Sequence, residues 1–189
     1  TTVNAGMLAY AANDQLGGAV TVAGGTLSLG AFTDTIGKLT VSGGAITGTG
    51  AFTVNSTDTF DLQSGSVAVD LGGTAAATKT TAGSVTLTGN NGFTGGFTLS
   101  LGTVLIGTNT ALGNGALALN GGVLASNATV AAAGARSIAN NLTVGGNVTL
   151  GNGTNTGVLT FGGTVDLGAA SRTLTTDSDV TMSGVISNG

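Results

Sequence analysis

Apolar and polar residues alternate along this chain in short bursts, each closed by glycine or asparagine. One phrase recurs: two alternating apolar positions, a Gly-Gly pair, then two more. It reads Val20, Val22, Gly24, Gly25, Leu27, Leu29, and returns as Leu39, Val41, Gly43, Gly44, Ile46. Later copies are Leu117, Leu119, Gly121, Gly122, Leu124; Leu142, Val144, Gly145, Gly146, Val148, Leu150; and Leu159, Phe161, Gly162, Gly163, Val165, Leu167. Where copies adjoin, they start 19 residues apart (20 to 39) or 17 apart (142 to 159). Period 2 with β-branched Thr, Val and Ile is a strand signal. No window carries a helical stripe.

A larger repeat overlies this one. Thr2, Leu8, Asn13, Leu16 and Gly17 match Thr98, Val104, Asn109, Leu112 and Gly113, at an offset of 96. The offset reaches 102 at Ile36 and Ile138. The chain thus reads as two tandem units, residues 1–97 and 98–189, in one continuous array cut at both ends. Repeats of about 20 residues holding two or three very short strands point to a solenoid rather than a sandwich, whose strands run longer. Inward residues such as Val20, Val22, Leu27 and Leu29 are expected to stack on their equivalents one coil away. Asn-Gly pairs at Asn91, Asn114, Asn120 and Asn152 are expected at corners. Parallel crossovers are nearly always right-handed. The predicted fold is all-β, a right-handed parallel β-helix of about nine coils, about 40–45 Å long at ~4.8 Å per strand.

Composition agrees with that design and narrows the chemistry. Gly (36), Thr (34) and Ala (26) supply just over half of 189 residues, and Pro, Cys, His, Trp and Glu are absent. Without His there is no imidazole base, and without His or Cys a zinc site loses its preferred ligands. Four basic residues cannot neutralise a nucleic-acid backbone. At 41% hydrophobic and net charge −4 the chain is too apolar for disorder, yet no apolar run is long enough to span a membrane. Thr1 to Gly6 lack the charged and apolar regions of a signal peptide, so any export signal is expected outside this stretch. A ladder also has little use for Pro, which lacks the N–H.

The stretch Ser84, Val85, Thr86, Leu87, Thr88, Gly89, Asn90, Asn91, Gly92, Phe93, Thr94, Gly95, Gly96, then Thr103, Val104, Leu105 resembles the passenger-associated strand repeat of bacterial autotransporters. The following Ala111, Leu112, Gly113, Asn114, Gly115, Ala116, Leu117 resembles the segment that commonly comes next. Phe93 stands where that family usually has Tyr, and Phe97, Thr98, Leu99 where it favours Thr-Thr-Val. The strong match covers about 40 residues. The resemblance implies a β-helical passenger exported across a Gram-negative envelope, without cysteine, and a translocator barrel downstream.

Few residues qualify as a site. Asp177 and Asp179 are two apart, hence on one face if they lie in a strand. They are candidates for Ca²⁺ or for an acid pair acting on a polysaccharide, against the plainer alternative of a solvated turn. Asp58, Asp61 and Asp70 occupy a less regular stretch and are expected on an outward loop. The basic residues Lys38, Lys79, Arg136 and Arg172 are scattered. Lys38 and Arg136 are expected at equivalent corners of the large repeat. Thr-x-Thr pairs (Thr33/Thr35, Thr47/Thr49, Thr86/Thr88, Thr108/Thr110, Thr154/Thr156) raise ice binding, but their spacing is uneven. Five Asn-x-Ser/Thr sequons, such as Asn127 to Thr129, follow from composition. Phe32, Phe52, Phe60, Phe93, Phe97, Phe161 and Tyr10 are expected in the core or stacked at corners.

The leading expectation is a non-enzymatic structural or adhesive stalk on a bacterial surface or in an extracellular fibre. It needs no cofactor. Its partners are adjacent repeats, other copies, or surface glycans and matrix molecules. A carbohydrate-active enzyme using Asp177 and Asp179, or an ice-binding solenoid, are the alternatives.

Overall fold

A computed structural model describes residues 1–55, 57–128 and 134–188. Every strand pairing in it is parallel, and each strand inside a sheet pairs with the coil before and the coil after. The chain winds around three faces. On the first, one register line runs Thr2, Thr21, Thr40, Asp61, Thr78, Thr98, Ala118, Thr143, Asp166, Ser187. This is the parallel β-solenoid expected, with about nine turns roughly 20 residues apart. Evenly spaced parallel hydrogen bonds hold successive coils together.

Alternation decides which side chains enter the core. Val20 and Val22 face inward and are fully buried, as are Leu27 and Leu29, while Thr21 between the valines faces out. On the second face Leu8, Leu27, Ile46, Val67, Leu87 and Ile106 are in register, and the line ends on buried Ser126. The third face is less regular. Strands Thr33–Ile36, Ala51–Val54 and Asp70–Gly72 form one small sheet there, and Arg136–Ile138, Leu159–Phe161 and Val180–Met182 another. Two coils between them cross this face without a strand. Phe52, Phe60, Phe93, Phe97 and Phe161 are buried in the core, and Phe32 and Tyr10 are half-buried.

The Gly-Gly pairs have a steric cause. At the corner between the first and second faces, glycines stack on glycines. A Cβ on Gly25 would stand 2.7 Å from Gly6 O, and one on Gly122 2.6 Å from Gly102 O. On Gly44, Gly65 and Gly102 it would press still harder on the carbonyls of Gly25, Gly44 and Gly83. The coils approach too closely at this edge for any side chain.

One copy of the phrase turns a different corner. Gly162 and Gly163 lie between the third-face strand Leu159–Phe161 and the first-face residues Val165–Asp166, not at the first corner. The 17-residue interval from 142 to 159 therefore spans part of a coil. Leu142 pairs with Val165, a full coil of 23 residues. A second corner wants the same small residues, so the phrase marks a corner without saying which.

The large repeat equals five coils. Thr2 and Thr98 are both on the first face, five register steps apart, and Ile36 and Ile138 are both on the third. The offset grows to 102 because the connection from strand Val123–Ser126 to strand Arg136–Ile138 is longer than its counterpart. The boundary at 97/98 falls inside strand Phe97–Leu99, and the core runs through it without a break.

Candidate functional site

Asp177 and Asp179 do not share a strand face. They sit in the bend between strands Leu174–Thr176 and Val180–Met182, and both are exposed. Their main chain is tied to the coil beneath: Asp177 N–H donates to Leu150 O (2.7 Å), and Asp179 O accepts from Leu159 N–H (3.0 Å). This is the geometry of a solvated turn. Asp58, Asp61 and Asp70 are also apart. Asp58 occupies a turn before strand Thr59–Val67, Asp61 lies within that strand rather than on a loop, and Asp70 opens a third-face strand. Asp61 pairs with Lys38 (3.3 Å), and Asp70 accepts from Asn90 N–H (2.6 Å). Among the described residues no group of three or more Asp, Glu, His or Cys side chains comes together.

Lys38 and Arg136 are not equivalent. Lys38 sits at the turn leading into strand Leu39–Gly48, whereas Arg136 opens a third-face strand in register with buried Leu159. At the offset of 102 the counterpart of Arg136 is Asp34. The Arg136 guanidinium donates to Ile106 O, Ala135 O and Asn127 Oδ1. The Thr-x-Thr pairs are dispersed: Thr33/Thr35 on the third face, Thr86 on the second, Thr108/Thr110 in a turn. They form no single array. In the sequons, Thr129 and Ser56 lie outside the described residues.

The polar groups with structure around them differ from the acidic candidates, and the sequence expectations above place neither Lys79 nor Asn91 inside. Lys79 is fully buried, at an inward position in register with Leu99. The reason lies in the next corner. Strand Ala76–Lys79 reaches strand Ser84–Leu87 through four residues, where strand Phe97–Leu99 reaches Thr103–Ile106 through three. The carbonyls of Thr81 and Leu101 are taken up by Lys79 Nζ, which also reaches Thr81 Oγ1 (3.2 Å). Small inward neighbours, Ala75 and Ala77, leave room for the long side chain. Burial pushes the Lys79 ammonium below its usual 10.5, opposed by the nearby charge of Asp61.

That shift has a consequence for pH. Between the depressed value and 10.5 the folded chain binds fewer protons than the unfolded chain, so folding is favoured as pH rises through that window. Burial and the hydrogen bond to Asp34 raise the Tyr10 phenol, which works the opposite way above pH 10. We expect the stability of the wild type, measured relative to Lys79→Met, to climb from neutral pH toward 10.5. Tyr10 is common to both proteins and cancels. Urea unfolding of both across that range checks it; parallel curves would show that Lys79 titrates normally.

Asn91 is the second buried polar group, 2% exposed. Its Oδ1 accepts from Leu71 N–H (2.9 Å) and its Nδ2 donates to Ala111 O (2.6 Å), residues 20 before and 20 after it. A side-chain amide thus does what a peptide group does in the sheets, on the face where the strands lapse. It is not a corner residue. Asn152 is one: its Oδ1 accepts from Thr154 N–H and Asn155 N–H. At the first coil, buried Asp34 accepts from Tyr10 Oη and Leu16 N–H, both at 2.7 Å, and fixes the irregular segment after strand Met7–Ala9.

Close to this break in the third face lies a cleft of about 100 Å³, lined by Asn109, Thr110, Gly113, Asn114, Ala139 and Asn140. No charged side chain lines it. Asn140, 7% exposed, donates both amide hydrogens, to Gly113 O (3.0 Å) and Gly115 O (2.6 Å). Asn109 Oδ1 accepts from Ser137 N–H (3.0 Å).

The architecture defines the chain as a β-solenoid repeat protein. No protein-family model, curated protein or solved structure matches it.

Proposed function

We propose that this chain is a stiff, non-enzymatic stalk module of a bacterial cell-surface or extracellular fibre protein, of the autotransporter-passenger type that residues 84–117 resemble. The observation that carries this reading is the unbroken register line from Thr2 to Ser187 on the first face, backed by one continuous core. Each coil contacts only its neighbours, so length is added without changing the cross-section. A rod of this kind spaces other domains or presents them. Strands Thr2–Val3 and Ile186–Ser187 each have one paired and one free edge, and Met7 (72% exposed) and Val185 (74%) lie beside them. Further coils, in the same chain or another copy, would pair there.

The test is to express the full-length reading frame and treat intact cells with protease. Loss of this segment before lysis is expected, and protection until lysis would reject display at the surface. The enzyme reading has a direct check. Asp177→Ala/Asp179→Ala is expected to leave stability within about 0.5 kcal/mol of the parent, since both carboxylates are exposed. Neither protein is expected to turn over a polysaccharide panel; activity in the parent that the double variant loses would restore the enzyme.

A further inference from the structure

We propose that Asn114 and Asn120 are sites of spontaneous deamidation, at which the folded rod converts asparagine into aspartate and isoaspartate. The inference stands whether or not the rod is displayed on a cell, because the reaction needs only water.

The chemistry is intramolecular. The main-chain nitrogen of the following residue attacks the asparagine Cγ, and the new C–N bond closes a five-membered succinimide. The Cγ–Nδ2 bond breaks and ammonia leaves. Water then opens the ring at either carbonyl, giving aspartate or isoaspartate with no change of oxidation state. A following glycine favours the first step, since no Cβ obstructs the ring and the backbone turns freely. In a folded chain the side-chain amide must also be free to rotate, the following N–H must lack an acceptor, and water must reach both.

The four described Asn-Gly pairs meet these conditions unequally. At Asn91 none holds. Its side chain, 2% exposed, bridges Leu71 N–H and Ala111 O, and Gly92 N–H donates to Leu71 O (2.8 Å). The Asn152 side chain is held at both ends: Oδ1 accepts from Thr154 N–H and Asn155 N–H, and Nδ2 donates to Asn155 Oδ1 (3.1 Å). Asn114 and Asn120 are different. Both are exposed, and neither side chain is hydrogen-bonded to a described residue. Gly115 and Gly121 are half-buried, and their N–H groups donate to no described residue. Each of these asparagines is anchored only through its own N–H, to Phe93 O (2.9 Å) and to Leu99 O (2.8 Å).

The two open pairs flank one strand, Leu117–Leu119. Isoaspartate adds a methylene to the main chain, so conversion lengthens the coil at either end of that strand. On the Asn114 side the shift falls on Gly115 O, which accepts from Asn140 Nδ2 (2.6 Å). On the Asn120 side it falls on a close corner, where a Cβ on Gly121 would stand 2.5 Å from Ser100 O. Every event also adds a negative charge to a chain of net charge −4. Chemical ageing is thereby concentrated at one rung of the rod.

The experiment is incubation of the folded protein in mildly alkaline buffer, which promotes the attack by deprotonating the glycine N–H, beside a sample unfolded in guanidinium chloride. Peptide mapping by mass spectrometry with electron-transfer fragmentation reads the amide-to-acid mass change and separates aspartate from isoaspartate at each position. In the unfolded sample all four pairs are expected to react at similar rates. In the folded protein Asn114 and Asn120 are expected to convert at least about tenfold faster than Asn91, whose reaction waits for local opening, with Asn152 between them. Asn114→Ala/Asn120→Ala removes two exposed, unbonded side chains. It is expected to fold and to lose most of the acidic forms resolved by ion exchange. Three outcomes would overturn the proposal: Asn91 converting as fast as Asn114 and Asn120 in the folded protein, both of these remaining amides while the unfolded sample converts, or acidic forms undiminished in the double variant.

Discussion

Gly65→Val is expected to destabilise the protein by about 4 kcal/mol or more. Two effects add at that position. Gly65 has φ +106°, a conformation β-branched residues do not tolerate, and a Cβ there would collide with Gly44 O and the Gly43 carbonyl carbon. Neither neighbour is the free end of a side chain, so relief requires the backbone of two coils to separate. The break would open the sheets on both sides of the corner, because residues on either side of Gly65 pair with strand Leu39–Gly48. Gly17→Ala is the control. A Cβ on Gly17 meets nothing within 4 Å, and that change is expected to be neutral or to stabilise by about 0.4–1 kcal/mol. Thermal and urea unfolding of the two variants decide it, and comparable stabilities would show that the glycine stack is not close-packed.

Asn91→Leu is expected to cost about 3–5 kcal/mol, with the loss centred on the third face. The two side chains share a branched four-atom skeleton, so the main effect is polar, with the bulkier methyls of leucine adding some overpacking. Leucine leaves the buried N–H of Leu71 and the C=O of Ala111 without partners, each worth about 1–3 kcal/mol. Asn91→Asp separates the two halves of the bridge. A carboxylate still accepts from Leu71 N–H but faces Ala111 O with no hydrogen to give, and it buries a charge. It should therefore be no better than leucine at neutral pH. Hydrogen exchange localises the damage: the Leu71 amide should lose protection in Asn91→Leu and keep it in Asn91→Gln only if the longer amide still reaches. Unchanged protection of Leu71 in the leucine variant would remove Asn91 from the ladder.

These two positions show how unequally the sequence disclosed its structure. Gly65 belongs to a visible pattern of short turns between alternating apolar residues. Asn91 reads as a corner, because Asn-Gly is a turn signal and nothing local distinguishes a turn from a side chain aimed inward. Lys79 left a trace: Ala77 and Lys79 stand two apart like Val20 and Val22, so strict alternation puts the lysine inside. Composition argued against burying a cation, and alternation prevailed because the corner that follows supplies oxygens to receive it. The acidic pair failed in the reverse direction. The spacing of Asp177 and Asp179 was correct for one strand face, but the chain bends between them.

The cleft was not legible at all. Its two walls come from residues about 30 apart, and their separation depends on how many residues each connection spends before rejoining the third face. The sequence by itself determined the class of fold, the inward side of each strand and the need for small residues at the corners. All three follow from local sterics and period-2 burial, which act within a few residues. Only the tertiary structure decided which corner each glycine pair turns and which residue one coil away completes each hydrogen bond. It also decided where an amide replaces a strand. Those contacts join positions 17 to 30 residues apart through connections of variable length, and a single residue more or less in a connection moves every partner beyond it.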